Sequence, residues 1–157
     1  MTLVAFQFAA LILGALSLGF SWAHLMELGA RLGWPPQLWI DSTVGGGLYA
    51  EFGRVGAAIE VLALVSLAGQ WFFGRRGPGG MLGLVALGLF ALGLLVWLFG
   101  VLPMNGILAE WEQHPGAIPE NFLAVSRQWE YCHAAIAVLK LTGFMALSGS
   151  VVETNRL

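Results

Sequence analysis

Charge is what this sequence has least of. Only 10% of its 157 residues are Asp, Glu, Lys or Arg, against roughly 25% in an ordinary soluble domain. Since 58% are hydrophobic and the mean hydropathy is +0.79, a water-soluble globule is a poor description of the chain. So much apolar surface also excludes a disordered segment. A basic excess is missing too: seven Lys and Arg stand against nine Asp and Glu. Without cations to neutralise phosphates, nucleic acid is excluded as a partner. Cysteine is nearly absent, and Cys132 alone can form neither an internal disulfide nor a Cys-rich zinc site.

The few charges are unevenly placed. No Asp, Glu, Lys or Arg occurs from Met1 to Met26, from Val61 to Gly74 or from Gly77 to Ala109, and Lys140 is the single one from Tyr131 to Val152. A bilayer core of about 30 Å is crossed by about 20 mainly apolar helical residues. The gaps therefore predict four transmembrane helices near 3–26, 53–73, 80–102 and 131–152, together one domain spanning 1–157. Unpaired backbone in hydrocarbon excludes loops, and the runs lack the alternation of barrel strands. The fold class expected is all-α, a polytopic membrane four-helix bundle running up-down-up-down. No basic residue precedes the first run, which is longer than the apolar core of a signal peptide, so it is expected to remain as a span.

The connections differ in length. Gly74-Arg75-Arg76-Gly77-Pro78-Gly79-Gly80 is a tight turn rich in breakers. The other two are long, and each predicts a short interfacial helix. Pro35-Pro36 followed by Gln37, Leu38, Trp39 and Ile40 reads as one, with Trp34 and Trp39 as interfacial anchors. In the other, a helix opening after Pro119 places Phe122, Val125, Trp129 and Ile136 at helical spacing and continues into the fourth span. Arg75, Arg76 and Arg156 lie on the side of the short turn, whereas Glu27, Asp41, Glu51, Glu110, Glu112, Glu120 and Glu130 lie in or beside the long loops. Arg31, Arg54 and Arg127 lie on the other side, but Arg75 and Arg76 fall in a short loop without an acid nearby, so both termini are expected in the cytoplasm.

In such a bundle His24 and Glu27 (end of span one), Glu51, Arg54 and Glu60 (start of span two), Asn105 (after span three) and Glu130 with His133 (start of span four) converge at one membrane face. Ser17, Ser21, His24 and Glu27 share a face of the first helix, and Glu130, His133 and Lys140 share one of the last. Glu51 and Glu60 are about 180° apart on a helix, so Glu60 is the better interior candidate. An ionisable group inside a span costs on the order of 2.5–3.5 kcal/mol unless partnered, which pairs Glu60 with Lys140 at matching depth. Gly53 and Gly56 are expected at a close helix contact.

Four readings of the cluster stay open. His24, Glu27, Glu60, Glu130 and His133, with Glu51, are candidate ligands for a divalent metal, in the manner of carboxylate-bridged bundles. His24 and His133 are candidate axial ligands for haem. With no cofactor, the same groups form an acid-base pocket in which Trp111, Trp129 and Glu27 hold a small apolar substrate. As helix-end residues they need no function at all.

The segments His24-Leu25-Met26-Glu27-Leu28, Pro103-Met104-Asn105 followed by Trp111, and Gln128-Trp129-Glu130-Tyr131-Cys132-His133-Ala134 resemble the anthrone-oxygenase-like family of small bacterial four-helix membrane proteins. The resemblance covers nearly the whole chain and keeps the motif order. It implies location in the bacterial inner membrane and oxidation of an anthrone or quinol-like ring by dioxygen, an oxidoreductase activity with no established metal requirement. It directs attention to His24, Asn105, Trp129 and His133, with Glu130 beside them as a further catalytic candidate. Gly29, Ala30 and Arg31 stand where the family pattern has a Pro and a Lys. The reading from another class is a non-catalytic accessory subunit of a larger membrane complex or a homo-oligomer, and a third is a haem- or metal-binding membrane protein.

Overall fold

Four stretches rich in Leu, Ala, Val, Phe and Gly can hide their backbone polar groups from lipid only by hydrogen-bonding internally, and each forms a long helix. The computed structural model describes residues 1–45, 48–114 and 116–156, and everything regular within them is helical. The elements are α1 (Thr2–Arg31), α2 (Pro36–Thr43), α3 (Leu48–Gly74), α4 (Gly80–Val96), α5 (Leu102–Glu112) and α6 (Phe122–Thr154), with a turn of wider π winding at Trp97–Val101 joining α4 to α5. Four helices, Thr2–Arg31, Glu51–Gly74, Gly80–Glu112 and Phe122–Thr154, are long and apolar enough to cross a bilayer. The chain is an integral membrane protein.

The helices outrun the apolar gaps of the sequence. Helix α1 continues beyond Met26 to Arg31, and α6 begins at Phe122. At about 1.5 Å per residue, the 33 residues of α6 reach well past a hydrocarbon core of about 30 Å. Glu27 and Arg31 sit on the extension of α1, and Glu130 on that of α6. Pro103 does not end the third span. The wider turn at Trp97–Val101 lets the Leu102 N–H reach the Trp97 carbonyl, and Pro103, which has no N–H to place, falls in the first turn of α5. Asn105 is therefore helical and does not follow the span as a loop residue.

Helix α1 packs on α3 and α6, and α4 packs on α6 and α3. Ala10, Leu67, Ala86, Phe90 and Leu147 bury one apolar core. Trp39, Val101, Leu108, Trp111, Phe122, Val125, Trp129 and Ile136 belong to a second, nearer the long connections. Phe122, Val125, Trp129 and Ile136 all face inward, as their spacing predicts. Trp39 does not act as the expected interfacial anchor: only 1% of it is exposed, because its indole N–H has a buried acceptor.

Glycine governs the close approaches, at positions other than those expected. Among the described residues nothing lies within 4 Å of a Cβ placed at Gly53 or Gly56, so neither serves a helix contact there. Gly79 does: a Cβ there would overlap the Ser150 carbonyl oxygen and Thr154 Oγ1. Ser150 Oγ donates to the Gly79 carbonyl at 2.7 Å and accepts from Gln70 Nε2 at 2.9 Å. Asn155 Nδ2 donates to Gln7 Oε1 at 3.4 Å. The start of α1, the α3–α4 turn and the end of α6 therefore lie together. Gly79→Ala is expected to lower stability by about 1–3 kcal/mol through overpacking, whereas Gly19→Ala, with open space around it, is neutral or slightly stabilising. Equal thermal midpoints of the two variants in detergent would contradict this packing.

Candidate functional site

The polar residues divide into a deep group and a group at the helix ends. In the deep group, Lys140 Nζ on α6 and Ser17 Oγ on α1 both donate to Glu60 Oε2 on α3, each at 2.5 Å. All three side chains are buried. Gly93 of α4 leaves room for the Lys140 stem, its absent Cβ facing Lys140 Cε at 3.7 Å. Glu51 is not part of this group: it is exposed and pairs with Arg54.

The helix-end group is built on α1, α2, α5 and α6. Glu130 Oε1 accepts from Arg31 Nε at 2.5 Å and from the Trp39 indole N–H at 2.7 Å. Arg31 Nη2 donates to Thr43 Oγ1 at 2.5 Å, and Nη1 lies 3.9 Å from Glu27 Oε2. The guanidinium carbon sits 5.2, 5.1 and 5.3 Å from the ring centres of Trp34, Trp39 and Trp129. Arg31 and Glu130 are each only 2% exposed. This is an ion pair inside protein, its charge spread over hydrogen bonds and aromatic faces.

Beside it the imidazoles of His24 and His133 stack, with centroids 4.1 Å apart and planes at 29°. Trp129 lies 4.2 Å from His133 and presents itself edge-on to His24 at 5.2 Å. The Trp129 indole N–H donates to Asn105 Oδ1 at 2.9 Å. Asn105, Trp129, His133 and His24 thus form one connected run across three helices. Trp111 packs against Phe122, with ring centres 6.2 Å apart, and Glu27 lies at the margin with its side chain 45% exposed.

Sequence reasoning missed Arg31, Trp39 and Thr43. Arg31 lies four residues after Glu27 and seven after His24, on the face they share. That signal was present, but the apolar run ends at Met26 and makes Arg31 look like a loop charge. Trp39 reads as an interfacial anchor and not as a partner of Glu130, and Thr43 gives no signal.

Among the described residues no three His, Cys, Asp or Glu side chains gather as a metal-ligand set. Glu60 and Glu130 are turned to Lys140 and Arg31. The histidines present ring faces to each other, whereas two axial haem ligands meet the iron through nitrogens from opposite sides. Two imidazolium rings stacked this closely would repel by about 4 kcal/mol at an effective dielectric constant near 20, so the two rings do not carry charge together. A cleft of about 90 Å³, lined in part by Arg31, Trp34, Trp39, Phe122, Ser126 and Glu130, lies beside the group, and neither histidine lines it.

Comparison of the chain with protein-family models, with characterised proteins and with solved structures finds no match.

Breaking the deep pair should be costly. Glu60→Leu strands the Lys140 ammonium and is expected to cost about 3–5 kcal/mol, most of it recovered when Lys140→Met is added. Unfolding in mixed detergent micelles measures both. A harmless Glu60→Leu would mean that the pair contributes nothing.

Proposed function

We propose that the protein oxidises a small, flat, apolar anthrone- or quinol-like ring with dioxygen, using His24 and His133 as the base. The observation that carries this reading is the stacked imidazole pair set against Trp129. It offers a place for one proton beside an aromatic surface, reached from helices that also contact lipid. The positions that carry the resemblance to the anthrone-oxygenase-like family, His24, Asn105, Trp129 and His133, are also those joined by contacts across α1, α5 and α6.

The chemistry balances without a further reactant. An imidazole removes a proton from the acidic methylene between the two rings of the anthrone, leaving a delocalised carbanion. The carbanion passes an electron to dioxygen, and the resulting radicals join as a peroxide at that carbon. Protonation by the imidazolium and loss of water convert the peroxide to the ketone. One dioxygen is consumed per anthrone; one of its oxygen atoms becomes the new carbonyl and the other leaves as water. Glu130 and Arg31 hold the start of α6 in place, and Asn105 fixes the Trp129 ring against which the histidines pack.

We place the long connections and α2 at the non-cytoplasmic face, with both termini and the Arg75-Arg76 turn in the cytoplasm of a bacterial inner membrane and the spans alternating in direction. Supporting this are the meeting of the α1 start, the α3–α4 turn and the α6 end and the basic residues at that turn. A second reading, a non-catalytic subunit of a larger membrane complex, is favoured by the position of the cleft: neither His24 nor His133 lines it, so a ring held there does not meet the base.

Dioxygen uptake by the purified protein with anthrone decides between them. The wild-type chain should consume one equivalent per turnover, and His133→Ala should lose at least 100-fold of the rate, the lower range for a general base. Unchanged uptake in a folded His133→Ala protein removes this residue from the mechanism, and no uptake by the wild type removes the oxidation.

A further inference from the structure

The cleft next to Glu130 has a composition of its own. Its walls include the rings of Trp34, Trp39 and Phe122, and Ser126, Arg31 and Glu130 supply polar groups. Glu130 is 2% exposed, and while its Oε1 takes two donors, its Oε2 is buried and accepts no hydrogen bond. A buried carboxylate oxygen left without a donor is costly, and it sits on a side chain that lines an aromatic cleft.

The chemistry of the lining selects the ligand. What Glu130 lacks is a donor, so a second acceptor, such as a carboxylate or phosphate, would add to the deficit. A cation would supply the donor, but Arg31 in the wall and Arg127 at the cleft repel it. A neutral O–H meets neither objection. Three aromatic walls favour a flat ring over an aliphatic alcohol. In volume, about 90 Å³ compares with roughly 30 Å³ per water and with a cavity of about 150 Å³ that holds benzene. The space therefore takes most of one ring but not three. Leu32 and Leu123 also line the cleft and are exposed, which leaves room for the rest of the ligand to extend outward.

We propose that this cleft binds a single neutral hydroxylated aromatic ring, a phenol or hydroquinone, with its hydroxyl donating to Glu130 Oε2. Because neither His24 nor His133 lines it, the site is separate from the imidazole pair and requires no turnover there.

Binding of methylhydroquinone to the protein in lipid nanodiscs, without oxygen and with empty nanodiscs as the blank for partition, tests this directly. Saturable binding is expected, with the dimethyl ether of the same ring binding at least tenfold more weakly because it has no hydroxyl to donate. Glu130→Gln, which turns an amide N–H₂ or a weaker acceptor to the cleft, should weaken binding about tenfold or more. Since Glu130 also pairs with Arg31, Ser126→Leu serves as the second variant: it fills the cleft from one turn before Glu130 on α6 and should abolish binding in a protein that still elutes as a single folded species. No saturable binding overturns the proposal. So does equal binding of the ether, or undiminished binding by folded Ser126→Leu. The readout contains no oxidation step, so failure of the oxygenase reading leaves this result unaffected, and the reverse also holds.

Discussion

The arrangement at the helix ends depends on the ion pair between Arg31 and Glu130. Two charges taken from water each forfeit several kcal/mol of hydration, and the residues around this pair are those that compensate. The Trp39 indole and Thr43 hydroxyl satisfy one partner each, and three tryptophan rings surround the guanidinium. Through these contacts the pair joins the end of α1, the short α2 and the start of α6. A Lys would carry the charge but not the planar fork that reaches Glu130 and Thr43 at once.

The same pair fixes how α1 and α6 sit along each other. From Arg31 back to His24 is seven residues, and from Glu130 on to His133 is three, so the axial rises differ by about 6 Å. A long Arg side chain leaning toward its helix N-terminus spans that difference. Seven further residues on each helix lead to Ser17 and Lys140, which meet at Glu60. One register thus brings together the stacked imidazoles and, about 10 Å deeper, the intramembrane charge pair. Beyond the second level, Phe90, Leu67 and Leu147 close the bundle with apolar packing. The polar lane enters from one end and stops inside.

Much of this was legible in the sequence, for a physical reason. Lipid enforces long apolar helices, so gaps between charges reveal the spans, and an ionisable residue within a span must find a partner, which links Glu60 to Lys140 by matching depth alone. Periodicity likewise turned Phe122, Val125, Trp129 and Ile136 inward. Other features were hidden because they depend on tertiary contact. Trp39 reads equally well as an interfacial anchor or a core residue until Glu130 is placed opposite its N–H. Arg31 lies past the apolar run, so nothing in the spacing of charges marks it as buried. Gly53 and Gly56 have the spacing of a helix contact but make none among the described residues, whereas Gly79, in a turn, makes a close one. Sequence spacing says which residues share a face, not what the face meets.

A double-mutant cycle on Arg31 and Glu130, followed by reversible unfolding in mixed micelles, tests the central claim most directly. If this pair organises the helix ends, Arg31→Met and Glu130→Leu should each cost about 3–5 kcal/mol, and the double variant should be little worse than either alone. Costs that simply add would contradict the account, because the two side chains would then act independently.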